Sequence, residues 1–173
     1  MTLNVSSPNT AGLRDLQESE MLSPLLLRVR NKRDRLREQH GRQVAIAVKI
    51  GPDLDDADIR AIATVARREQ IDGIVATNTT LSRAGVESYA NAFQAGGLSG
   101  APLRERATRV VRLLAAELKG EIPVIGVGGI LSGGDAAEKF DAGASLVQLY
   151  TGLIYQGPGL IRECVSACLA RPR

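Results

Sequence analysis

The stretch Ile122-Pro123-Val124-Ile125-Gly126-Val127-Gly128-Gly129-Ile130 constrains this chain most. A short β-branched run stops on three glycines within four positions. Such a run reads as a strand buried on both faces, as in a parallel sheet. Glycine at its end lets backbone N–H groups approach a ligand closely, and phosphate is the commonest ligand of such a loop. A tight strand-to-helix turn asks for glycine with no ligand at all, so both readings stand. A second run, Ala144-Ser145-Leu146-Val147-Gln148-Leu149-Tyr150-Thr151-Gly152, follows about twenty residues later.

The rest of the chain alternates in the same way. Leu3-Asn4-Val5-Ser6 reads as the end of a strand, followed by the polar turn Ser7-Pro8-Asn9-Thr10-Ala11-Gly12. Ser23-Pro24 predicts a helix start, with Leu25, Leu26, Val29 and Leu36 inward and a solvated face from Arg28 to Arg37. Val44–Ile50 predicts a strand that carries Lys49 near its C-terminal end. That lysine either points to a site at the strand mouth or snorkels to water. Asp55, Asp56 and Asp58 load the start of the next helix with the charge its dipole favours. Gly73–Thr77 predicts a strand ending in Asn78-Thr79-Thr80. A long loop from about Leu81 to Ala101 carries Gly96-Gly97-Leu98-Ser99-Gly100 and is long enough to suggest function. Pro102-Leu103 opens a helix that Gly120 ends, and Gly134-Asp135 opens a shorter one. A last helix runs from about Leu160 to Ala170, with Ile161, Val165 and Leu169 expected inward.

About five short strands alternating with helices mean a parallel α/β sheet. A small doubly wound sheet and part of a (β/α)8 barrel both fit. A doubly wound sheet gathers its ligand residues at one switch point. Here every strand ends in polar residues or glycine, which favours the barrel. A barrel typically needs about 250 residues, and the chain has 173.

Composition removes other classes. A net charge of +3 with arginines spread along helices argues against nucleic acid. No apolar run reaches the length of a transmembrane helix, and Met1-Thr2-Leu3-Asn4 lacks the basic and apolar regions of a secretory signal. Cys164 and Cys168, one helical turn apart, read as buried thiols of a reducing compartment, with no metal site. His40, the single histidine, sits at the end of a charged helix and reads as a surface residue.

Taken together, Asn4 to Arg14, Val48-Lys49-Ile50, Ala76 to Thr80, Gly96 to Gly100, Ile125 to Ile130 and Leu146 to Gly152 occur in one order with barrel spacing. This set resembles the C-terminal half of class 2 (quinone-linked) dihydroorotate dehydrogenase over essentially the whole chain. The resemblance implies an α/β fold, a partial (β/α)8 TIM barrel covering about strands 4 to 8 of a flavin-binding barrel. Residues 1–173 would be the C-terminal part of that single domain, with Met1 inside strand 4 and no counterpart of the N-terminal half. It implies FMN as cofactor, with dihydroorotate oxidised to orotate in pyrimidine synthesis and electrons passed to quinone. The quinone site would lie mostly in the N-terminal part. The full-length family would sit peripherally on the cytoplasmic side of a membrane.

The same resemblance assigns roles. Ser7 would be the base that takes a substrate proton; no Ser-His pair is available, so it would act through ordered water or its neighbours. Asn4, Asn9, Asn78 and Thr79 would hold the pyrimidine ring and carboxylate, with Asn4 also beside the flavin. Lys49 would place a cation at the flavin edge that gains negative charge on reduction, and Thr77 would hydrogen-bond the ring. Gly100, Gly128, Gly129, Tyr150 and Thr151 would line the ribityl phosphate. Other readings are a related flavin barrel acting on another pyrimidine, or a non-catalytic phosphate-binding or self-associating half-barrel whose unpaired sheet edges invite pairing between copies.

Overall fold

Consecutive strands pair in consecutive order, and that single fact sets the architecture. A computed structural model describes residues 1–171. Five strands, β1 (Thr2–Asn4), β2 (Ala47–Ile50), β3 (Gly73–Ala76), β4 (Val124–Val127) and β5 (Leu146–Gln148), form one sheet in the order β1-β2-β3-β4-β5. Every neighbouring pair is parallel. No strand order reverses, so there is no switch point and the doubly wound alternative falls away.

Register explains which face is which. Leu3, Val48, Ile74 and Val124 are register partners across four strands, and they pack with the helices in one core cluster. The neighbouring row, Asn4, Lys49, Val75, Ile125 and Leu146, lies on the opposite face, because side chains alternate along a strand. Helices α1 (Ser19–His40), α2 (Asp56–Arg68), α3 (Arg104–Leu118) and α4 (Gly133–Asp141) each pack on the next along the first face. Their buried residues, among them Leu22, Leu26, Ile59, Ile62, Val110 and Leu114, fill the space between helices and sheet. Two shorter helices, α5 (Thr151–Gln156) and α6 (Gly159–Leu169), follow β5. No helix among the described residues is long and apolar enough to cross a membrane, and none of their His, Cys, Asp and Glu residues group as metal ligands.

The helix starts are set by local chemistry. Asp55 caps α2 by accepting from Asp58 N at 2.8 Å, and Ser132 caps α4 by accepting from Asp135 N at 3.2 Å. The expected start of α1 at Ser23-Pro24 is wrong. The helix begins at Ser19, Leu22 N closes its first turn on Glu18 O at 2.8 Å, and Pro24 lies inside it. Ser23 does not cap, because its hydroxyl donates to Oε1 of Glu69, the C-cap of α2, at 3.1 Å. Arg33 also leaves the solvated face: it pairs with Asp72 at 2.9 Å. Pairing in β2 starts at Ala47 rather than Val44, since Ile46 N is taken by the Asp72 carboxylate at 2.7 Å.

The inner face of α6 also differs from expectation. Ile161, Val165 and Leu169 are exposed, while Leu160 and Cys164 are buried against Ile130 and Ala136. Both sets repeat at four-residue spacing, so periodicity alone leaves the choice one residue ambiguous. The contact with α4 decides it: Gly133 sits so close to Glu163 and Ala167 that even a Cβ there would collide. Of the two thiols expected to be buried, Cys164 is and Cys168 is only half-buried; burial raises the pKa of both. Leu160→Ala should therefore destabilise the chain by about 2–5 kcal/mol in urea denaturation, as removal of a buried leucine does, whereas Ile161→Ala should change it by less than about 0.5 kcal/mol.

Candidate functional site

Because all strands run the same way, their C-terminal ends open on one mouth. A cavity of about 290 Å³ lies there. Nine of the twelve expected site residues line it: Lys49, Thr77, Asn78, Thr79, Gly100, Gly128, Gly129, Tyr150 and Thr151. Asn4, at the end of β1, and Ser7 and Asn9, from the loop after it, do not.

The glycine loop after β4 forms part of the wall. Gly128 and Gly129 have φ of 115° and 72°, a region closed to most side chains. A Cβ on Gly129 would also run into the main chain of Arg104, whose N would lie 2.6 Å away. Among the described residues, neither glycine N–H has a protein acceptor. Buried or half-buried donors without partners suit an anion. Across the cavity wall, Thr151 Oγ1 donates to Ser99 Oγ at 2.8 Å, and Gly100 packs against the Thr151 methyl. The strand-after-strand arrangement thus gathers two loops and the β5 end around one set of backbone donors.

Lys49 reaches the same cavity from β2. Its ammonium has no hydrogen bond or ion pair among the described residues, and burial lowers its pKa. Thr77 is held by N–H donation to Val127 O at 2.8 Å, and its hydroxyl donates to Asn78 O at 2.8 Å. The Ala76–Thr77 peptide bond is cis. These residues fit a flavin mononucleotide: unpaired backbone donors for a phosphate, a free cation for the ring, and hydrogen-bonding groups between them.

The first loop is tied to this wall by a residue that the sequence did not single out. Ser6 is fully buried, and its hydroxyl donates to Lys49 O at 2.8 Å and receives Asn78 Nδ2 at 3.2 Å. Asn78 Nδ2 also donates to Asn4 Oδ1 at 3.1 Å, and Asn78 Oδ1 accepts from Thr79 N at 2.8 Å. Asn4, Asn78 and Thr79 are therefore one network. Ser7 is only half-buried, and its Oγ accepts from Asn9 N at 3.2 Å. Asn9 is exposed beside Gly96.

Asp53 is a second residue that sequence patterning missed. It accepts from Arg14 at 3.0 Å, Arg106 at 3.2 Å, Leu81 N at 2.9 Å and the Thr80 hydroxyl. Burial alone would raise its pKa, but the bonds from Thr80, Leu81 and Arg14 outweigh that and hold it below the ordinary carboxylate range. Arg14 also donates to Thr79 O at 3.0 Å. One carboxylate thus joins the loops after β1, β2 and β3 to α3. The long loop folds back through the Thr80–Leu98 bridge and Arg83, which donates to Gln94 O and Gly96 O at 2.8 and 2.7 Å. This sets Gly97 against Thr79 and Pro8, where no Cβ would fit.

Comparison with known proteins gives the family. A family profile described as dihydroorotate dehydrogenase matches residues 1–169. A relative from Thiobacillus denitrificans, dihydroorotate dehydrogenase (quinone), is 59% identical over 166 residues, covering 96% of this chain and 49% of its own length. One of the same description from Shewanella amazonensis is 57% identical over 171 residues, covering 99% and 50%. A solved structure of ligand-free DHODH from Eimeria tenella superposes with a TM-score of 0.90 at 36% identity, over 97% of this chain and 50% of that one. The chain thus spans about half the length of the curated relatives it matches. With a parallel sheet in barrel order and a match that reaches from Met1 to Leu169, the chain belongs to the dihydroorotate dehydrogenase family.

Proposed function

We propose that this chain supplies the phosphate-binding and part of the substrate-binding side of an FMN-dependent dihydroorotate dehydrogenase that uses quinone as electron acceptor in pyrimidine synthesis. The observation that carries this reading is the convergence of Lys49, Asn78, Thr79 and the bare N–H groups of Gly128 and Gly129 on one cavity. FMN, when bound, supplies a hydride acceptor. Gly100, Gly128, Gly129, Tyr150 and Thr151 would hold its phosphate with backbone donors. Lys49 would place a cation near the ring, where no anion of the described residues pairs with it. The Asn4–Asn78–Thr79 network offers amide donors and acceptors of the kind a pyrimidine dione and carboxylate require.

Ser7 is the base in this reading. Its Oγ would take the substrate proton as its own hydroxyl proton passes to water, since no histidine or carboxylate contacts it among the described residues. Asn9 N–H, already donating to Ser7 Oγ at 3.2 Å, would steady the alkoxide character that develops there. Dihydroorotate and quinone are the partners this reading requires, with most quinone contacts outside these residues.

In a chain that also carries the N-terminal half of a relative, Ser7→Ala should slow flavin reduction by dihydroorotate by about 10²–10⁴-fold, the size of a positioned base. Its FMN content should be retained, because Ser7 serves substrate. Unchanged stopped-flow reduction would refute the assignment. The Lys49→Met variant should bind FMN yet lower the flavin reduction potential, because a fixed cation favours the reduced, more negative ring. A potential that does not move in a dye-equilibration titration would remove Lys49 from that role. The non-catalytic alternative is separated by visible absorbance: a purified 173-residue chain that takes up no added FMN supports it.

A further inference from the structure

Lys139 is a buried cation that the proposed chemistry leaves unused. It lies on α4 behind β4 and has no exposed surface. Its Cβ is packed so tightly that a Cβ added at Gly126 would come within 3.1 Å of it. Its ammonium donates to the main-chain O of Arg104 at 3.0 Å and to the Thr108 hydroxyl. Neither acceptor is an anion. The charged groups around it are Arg104 on α3 and Asp135 and Glu138 on α4, and they are committed to each other: the Arg104 guanidinium bridges both carboxylates at 2.6 Å. Burial pushes Lys139 down to about 8, against the pull of Glu138 and Asp135 and with the push of Arg104.

A methionine would occupy similar space without the cost of desolvating a charge. What the ammonium does is visible in what it touches. Arg104 is the residue whose main chain lies against Gly129, and Leu103 and Ala107 of the same turn lie against Gly128. Lys139 fastens the carbonyl of that turn from behind, and Thr108, which itself donates to Arg104 O at 2.9 Å, completes the clasp. The glycine pair rests on the turn that Lys139 holds.

We propose that Lys139 is a positioning residue for the phosphate end of the flavin site: it fixes the first turn of α3 beneath Gly128 and Gly129 and places a buried positive charge behind the loop. This rests on the reading of that loop as a phosphate cradle. The loop's own donors touch the phosphate; Lys139 acts through Arg104.

The test uses the 173-residue chain, titrated by flavin fluorescence with FMN and with riboflavin, which has the same ring and no phosphate. Lys139→Met should weaken FMN by about tenfold or more, the scale of one charge-assisted contact, and leave riboflavin within about twofold. Thr108→Val, which keeps the ammonium and removes one acceptor, should shift the FMN preference in the same direction by less. In the unsubstituted chain, the preference for FMN over riboflavin should fall as pH rises through about 8, where Lys139 loses its proton, and it should be flat over that range in Lys139→Met. The FMN phosphate is already a dianion there and Lys49 serves the ring, so the riboflavin ratio isolates Lys139. Circular dichroism melts identify a variant that fails to fold, in which case the pH profile and Thr108→Val decide. Equal losses for both flavins, or a preference that holds steady with pH, overturn the proposal. If the unsubstituted chain shows no preference for FMN at all, the cradle reading fails and takes this inference with it; a preference that Lys139→Met retains overturns only the role of Lys139.

Discussion

Parallel pairing in unbroken order is the constraint from which the site follows. Parallel strands cannot be joined by tight turns, so each connection must cross back through a helix. With all strands running the same way and α1 to α4 on one face, the loops at the C-terminal ends open on the same mouth. Residues as far apart in sequence as Asn4 and Asn78 can then hydrogen-bond across it. The row Leu3–Val48–Ile74–Val124 anchors the sheet to the helices, and the alternate row leaves Asn4 and Lys49 on the other face. A slip of one residue in β2 would bury Lys49 in the helix-facing core.

The mouth is held by polar contacts rather than by apolar packing. Asp53 gathers arginines and loop donors from several elements, and so ties the loops after β1 and β3 to its own. Glycine supplies the complementary device where two main chains must touch. Gly97 against Thr79 and Gly129 against Arg104 are approaches that leave no room for a side chain. One set of bonds brings the walls together, and the glycines keep the space between them open to a ligand.

Much of this was legible in sequence, and the illegible parts share a cause. Short apolar strands, their glycine or polar ends and the acidic start of α2 are local patterns, and they located β2 to β5, the cavity and Lys49. What escaped was decided between distant segments. Ser6 rather than Ser7 is the buried serine because its hydroxyl meets Lys49 O, forty-three positions along the chain. Asp53 carries no local signal, because its partners Arg14 and Arg106 come from either side of it in sequence and meet it only in the fold. Lys139 carries no signal in the sequence, because nothing local says that Gly126 leaves space for its stem. The face of α6 and the start of α1 failed for the same reason: Glu163 against Gly133 and Glu69 against Ser23 are contacts between helices.

The central claim is that the glycine pair after β4 presents its backbone donors to the phosphate of a flavin nucleotide. The most direct measurement is the amide NMR spectrum of the 15N-labelled chain as FMN is added. The account predicts saturable downfield shifts of the Gly128 and Gly129 amide protons, which have no acceptor among the described residues, as they take up charge-assisted bonds to phosphate. Flavin that binds while those two resonances stay where they are would contradict it.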